Sequence, residues 1–141
     1  LGLTDENAAE LYESGVRHAM LLWEVTGSNI DEYIAGSELG SIAGDTPEEQ
    51  IRKISIQRWI ASYTDGFEAW SVVRKSGYPE SLADGVGDIE IYGFGDLTNG
   101  QYPQRLRYGT GVFDTNPQNA QVAIDEQGPD LQSTKLWWAK D

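Results

Sequence analysis

The stretch from Thr46 to Pro79 constrains the fold more than any other part of the sequence. Thr46-Pro47-Glu48-Glu49 supplies an N-cap threonine, then a proline at the first helical position, where its missing N–H costs nothing, and a glutamate that completes a capping box. The helix it opens is expected to run to about Tyr63. Ile56, Trp59, Ile60 and Tyr63 form its main apolar stripe, while Ile51 and Ile54 face elsewhere, so neighbours are expected on two sides. After the break Thr64-Asp65-Gly66, the spacing predicts a second helix from Phe67 to Ser76. Phe67, Ala69, Trp70, Val72 and Val73 point one way, and Glu68, Ser71 and Lys75 point to water. Arg74, one turn after Trp70, is placed to lie over that ring or to reach a carbonyl. Gly77 is the expected stop, and Tyr78-Pro79 prevents continuation. Two helices with a three-residue break read as an αα-hairpin, and the fold class is mainly α.

Upstream, a helix is expected from about Asn7 to Glu24, ended by Gly27 and Ser28. Ala8, Leu11, Tyr12, Gly15, Val16, Ala19, Leu22 and Trp23 share one stripe. The small residues along it allow a neighbouring helix to come close. A short helical turn follows over Asn29 to Ala35, with Asn29 as cap. Residues 1–79 are thus read as helical and 80–115 as loop-rich, the helical period being interrupted by glycines 85, 87, 93, 95, 100, 109 and 111. Asp88 to Tyr92 reads as a brief strand at most. Residues 116–141 carry a last helix, capped by Asn116 and opened by Pro117, and a tail. Leu136-Trp137-Trp138 is too apolar a tail to hang in water.

Charge excludes one class of partner. With 23 acidic and 10 basic residues the net charge is −13, a field that repels phosphate backbones, so nucleic acid is not expected. The cations are also dispersed, with none from Ser76 to Gln104 or from Tyr108 to Thr134. The chain has no cysteine, which removes disulfides, zinc thiolates and thiol catalysis. Its longest apolar run, Ala19 to Trp23, is far short of a membrane span. It begins at Leu1 and is expected to be a processed or truncated piece. Five Trp and seven Tyr are the informative excess. Core packing accounts for such rings in general; stacking platforms for sugars are the sharper reading.

Catalytic constellations are missing. His18, the single histidine, sits at the edge of a packed stripe, where a structural role is expected, and imidazole metal sites have no support. Carboxylates are plentiful enough for paired-acid glycosidase chemistry, but acids on helix faces are ordinarily solvated surface. Asp84-Gly85-Val86-Gly87-Asp88-Ile89-Glu90 resembles a calcium loop only loosely, without the alternating acids of an EF-hand, so no cofactor is expected beyond a weak calcium option.

Two blocks carry a family resemblance. Ile54-Ser55-Ile56-Gln57-Arg58-Trp59-Ile60-Ala61, followed by Glu68-Ala69-Trp70-Ser71-Val72-Val73-Arg74-Lys75-Ser76-Gly77-Tyr78-Pro79, resembles the SusD/RagB pattern I-x-x-Q-K-W-I-A then E-A-W-x-x-x-R-R-T-G-x-P. Pro103-Gln104-Arg105-Leu106-Arg107-Tyr108 with Asn116-Pro117-Gln118-Asn119 resembles that family's P-x-R-x-x-Y-P block and its Asn-x-x-Asn, and Thr134 to Trp138 resembles its ending. The chain departs from the pattern at Lys75, Gly109 and Val112. The resemblance implies a C-terminal portion of a tetratricopeptide-like helical protein. It also implies a surface lipoprotein of the outer membrane in Bacteroidota-type bacteria, anchored by a lipid on a part absent here. Such proteins bind oligosaccharide and pass it to a SusC-like TonB-dependent transporter, so the expected partners are a glycan, that transporter and the remaining N-terminal part. Trp59, Trp70, Arg74, Arg105, Tyr108 and Asn116 are expected to be architectural, with Trp59 and Trp70 knitting the helix pair and Arg105 and Arg107 bonding loop carbonyls or acids. For sugar contact the candidates are the loop rings Tyr92, Phe94 and Tyr102 with Asp96 and Asn99 as polar partners. A helical interaction scaffold that docks a transporter is the alternative, and a glycoside hydrolase comes third.

Overall fold

The computed structural model describes residues 5–83, 98 and 102–139. All regular structure among these residues is helical: α1 Ala8–Leu22, α2 Gly27–Gly36, α3 Pro47–Ala61, α4 Gly66–Ser76, α5 Glu80–Ala83, α6 Thr110–Thr115 and α7 Pro117–Gln127, with a 3-10 turn at Trp137–Ala139. They fall into two compact units, residues 1–69 and 70–141, with the boundary inside α4. The segment expected as a brief strand, Asp88 to Tyr92, lies outside the described residues.

The first unit is built on α1, which packs against α2 and α3. Asn7 caps α1, accepting from the Ala9 N–H at 2.8 Å. The helix stops at Leu22 rather than running to Glu24. The Val25 N–H returns to the Met20 carbonyl and the Glu24 N–H to Leu21, a Schellman closure that puts Glu24 at φ 59°. Gly27 and Ser28 therefore open the next helix instead of ending the first, and Thr26, not Asn29, is its N-cap. The core is small: Tyr12, Val16 and Ile42, with Ala9, Met20, Tyr33 and Ile34 around them. Tyr12 also donates its hydroxyl to the Leu39 carbonyl at 2.7 Å, and burial pushes its pKa up to about 12. Gly40 is where the loop after α2 passes closest to it, because a Cβ there would stand 2.2 Å from the Ile34 carbonyl oxygen.

The α3 helix starts as its capping signal predicts, with Thr46 Oγ1 accepting from the Glu49 N–H. Its faces depart in part from expectation, for Ile56 and Trp59 of the expected stripe are half-buried but the best-buried positions are polar. Lys53 and Ser55 are its buried residues, whereas Ile51, Ile54 and Ile60 are exposed, as is Tyr63 just beyond its end. The inner face is polar because the loop after α2 needs donors: Lys53 Nζ reaches the Ser41 carbonyl at 3.0 Å and the Asp45 carboxylate at 2.7 Å, and Gln57 donates to the Tyr33 hydroxyl and the Leu39 carbonyl.

In the second unit, Gly77 ends α4 at φ 75°, a conformation that favours glycine. The short α5 and α6 lie within residues expected to be loop-rich; at four and six residues they are below the length at which a helical period is readable. Asn116 precedes α7 without a side-chain capping bond, and Gly128 follows it. The tail is held as its composition demands, with Ala139 buried and Trp138 half-buried, though Trp137 is exposed.

Candidate functional site

The second unit presents one polar construction of consequence, an extended strap over residues 102–109 that has no helical or strand partner of its own. Its backbone groups must find tertiary partners, and the family-motif side chains provide them. From α4, the Trp70 indole N–H donates to the Pro103 carbonyl at 2.6 Å, and Arg74 Nη1 donates to the Gln104 carbonyl at 2.7 Å. The Arg74 guanidinium lies 3.8 Å from the Trp70 ring centroid and 4.7 Å from that of Trp138, so the tail is fastened by the same side chain. Burial lowers the pKa of Arg74, which nonetheless stays cationic at neutral pH. Trp70 thus gives its one polar atom to the strap.

From the other side, the turn after α7 receives the strap. The N–H groups of Gln104 and Arg105 both point to the Gln132 carbonyl, at 2.7 and 3.3 Å. Asp130 is buried; its Oδ1 accepts from the Tyr108 N–H at 3.1 Å, and its carboxylate forms ion pairs with Arg105 Nη2 at 3.3 Å and Arg107 Nε at 3.5 Å. Arg105 also donates to the Leu106 carbonyl and lies 4.5 Å from the Tyr108 ring centroid. Gln127 donates to the Tyr108 hydroxyl.

Of the residues expected to touch sugar, Tyr92, Phe94, Asp96 and Asn99 lie outside the described residues. Tyr102 is half-buried at the head of the strap, where its carbonyl accepts from Gln104 Nε2. Sequence reasoning did not single out Asp130, Gln132 or Trp138 as partners. Their roles depend on contacts 22 to 64 positions away in the chain, for which no local period exists. His18 is exposed and occupied by its own helix, donating through Nδ1 to the Ser14 carbonyl at 2.6 Å. No cluster of three or more His, Asp or Glu among the described residues is arranged to hold a metal ion. The stretch Asp84 to Glu90, weighed as a calcium loop, lies outside them.

The first unit carries two concavities. One, of about 420 Å³, is lined by Trp23, Trp59 and Tyr63 with Ile60 and Ala69. Trp23 and Tyr63 meet edge to face at 6.0 Å and 77°. The other, of about 450 Å³, is a groove between α1 and α3.

The sequence matches the family model SusD-like, described as SusD and RagB outer membrane lipoprotein, over residues 40–139. A SusD homologue from Bacteroides uniformis is 29% identical with a TM-score of 0.81, covering 96% of this chain and 32% of that one. A Bacteroidetes AC2a SusD-like protein is 28% identical with a TM-score of 0.82, covering 99% and 27%. A chitin-binding SusD homologue from Flavobacterium johnsoniae is 25% identical with a TM-score of 0.77, covering 97% and 32%. The chain therefore spans less than a third of the length of these structures. No curated protein sequence matches it.

Proposed function

This chain belongs to the SusD-like family, and on that premise we propose that it is the part of a non-catalytic oligosaccharide receptor that carries sugar-contacting residues next to a firmly held strap. The observation that supports this reading is the double pinning of the strap by Trp70 and Arg74. The candidate sugar residues Tyr92, Phe94, Asp96 and Asn99 precede the strap in sequence, and Tyr102 stands at its head. Rings beside amide and carboxylate groups suit a pyranose, which offers an apolar face and a rim of hydroxyls.

The whole protein would stand at the outer-membrane surface on a lipid anchor and hand its ligand to a SusC-like TonB-dependent transporter. A relative described as chitin-binding makes N-acetylglucosamine oligomers the first ligands to try. Alanine at Tyr92, Phe94 and Tyr102 together, in the full-length protein, is expected to weaken glycan binding by about tenfold or more in calorimetry. Unchanged affinity would remove these residues from the site.

A further inference from the structure

Among the exposed large hydrophobics of the described residues, only Trp23, Tyr63 and Trp137 carry a polar atom, and the first two share a concavity. Trp23 is 52% exposed and Tyr63 83%, and their rings stand edge to face, so open ring surface faces two directions. The helix ends put them there. Trp23 is the C-cap of α1, just before the reversal at Glu24, and Tyr63 follows the C-cap of α3. Half-buried Trp59 adds a third ring, while Gly66 and Ala69 lack the bulk to fill the hollow. No charged side chain lines it, and about 420 Å³ is within the range of small-ligand sites.

The polar atoms of these rings are uncommitted. Trp70 gives its indole N–H to Pro103 and Tyr12 its hydroxyl to Leu39. Among the described residues, by contrast, no hydrogen-bond partner meets the indole N–H of Trp23 or Trp59, or the hydroxyl of Tyr63. We propose that this aromatic corner is a second saccharide site, seating one pyranose unit of an uncharged oligosaccharide. A pyranose supplies apolar C–H faces for the rings and hydroxyl oxygens for the three donors. An aliphatic occupant would cover those donors without pairing them, which costs free energy. A charged ligand finds no counter-charge in the lining, and an anion is repelled by the net charge of −13. The corner lies in the first unit, whereas Tyr102 and the strap belong to the second. The inference rests on the receptor reading for its class of ligand, and not on the loop residues named there.

Hydroxyl-radical footprinting of the full-length protein tests this, with oxidation read residue by residue by mass spectrometry at matched radical dose. The probes are the N-acetylglucosamine hexamer and maltohexaose, both uncharged, at millimolar concentration. Trp23 and Tyr63 are expected to oxidise readily without ligand, and about fivefold or more slowly with one of the oligomers. The protection is expected to persist when Tyr92, Phe94 and Tyr102 are all alanine, and to be lost at Tyr63 in Trp23→Ala. Rings already unreactive without ligand would mean that the protein covers the corner itself, and would overturn the proposal. So would oxidation that neither oligomer slows, protection that vanishes in the loop variant, or protection of Tyr63 that survives Trp23→Ala. The loop residues are judged by the affinity of their own variant, so corner and loop fail separately.

Discussion

Asp130 is asked to answer two guanidinium groups and a backbone N–H while keeping 7% of its side chain exposed, and Arg105 opposite it keeps 5%. Taking both charges out of water is costly, and their attraction offsets that cost only while both are present. Asp130→Ala is therefore expected to destabilise the folded state by about 3–5 kcal/mol, because it leaves Arg105 buried without a counter-charge. Urea denaturation of the full-length protein measures this; a loss below about 1 kcal/mol would mean that water reaches the pair. The hydrogen bonds of Trp70 and Arg74 obey the same logic with milder stakes, since their partners are carbonyls. At this scale the sequence was partly readable. Arg74 lies one helical turn from Trp70, so their contact follows from local geometry. That Asp130 would meet Arg105 had no local signal, because the turn after α7 and the strap come together only in the fold.

Helix ends were the elements where sequence chemistry was most informative and also where it misled. The Thr46 cap and the Gly77 stop stand where their residue types require. The end of α1 does not, because Glu24 occupies a left-handed position that usually goes to glycine, and the nearby Gly27 drew the boundary too late. The strain at Glu24 is open to a direct test. Glu24→Gly is expected to stabilise the first unit by about 1 kcal/mol, the cost of holding a side chain at positive φ less the added freedom of the unfolded glycine. An increased midpoint in denaturant with an unchanged slope would show it, and no increase would mean that the carboxylate compensates locally. The polar inner side of α3 was illegible for a different reason. Its apolar stripe was correctly located in the sequence, but a stripe does not say which neighbour it faces. The polar loop after α2 took the side that Lys53 and Gln57 could serve.

For the whole molecule, the balance of apolar surface decides how these 141 residues behave alone. Among the described residues fifteen large hydrophobics are exposed, against eight buried hydrophobics, two of them alanines. Single exposed apolar residues are ordinary, but this many on a short chain is more than a self-sufficient domain shows. The isolated 141-residue chain is accordingly expected to melt over a broad range, with dye-accessible apolar surface before the transition. A sharp, calorimetrically two-state melt would mean that the chain needs nothing more to fold. The family and the helical class were legible at this scale because motif residues such as Trp70, Arg74 and Arg105 carry the architecture. The candidate sugar residues Tyr92, Phe94, Asp96 and Asn99 were read from residue types alone, and they lie outside the described residues.

The way Arg74 is held has a consequence for the medium in which this fold can persist. Its guanidinium is gripped by two ring faces, the carbonyl of Gln104 and the hydroxyl of Ser71. None of these is a mobile-ion-sensitive charge partner on the surface. Dissolved electrolyte weakens exposed ion pairs over a Debye length of about 8 Å at physiological strength, yet it finds little to shield at a cation resting on neutral dipoles and rings. The grip of Arg74 on strap and tail should thus be indifferent to brine or to fresh water, while the half-exposed Arg107 on the other side of the strap, paired with Asp130, feels every change in salinity.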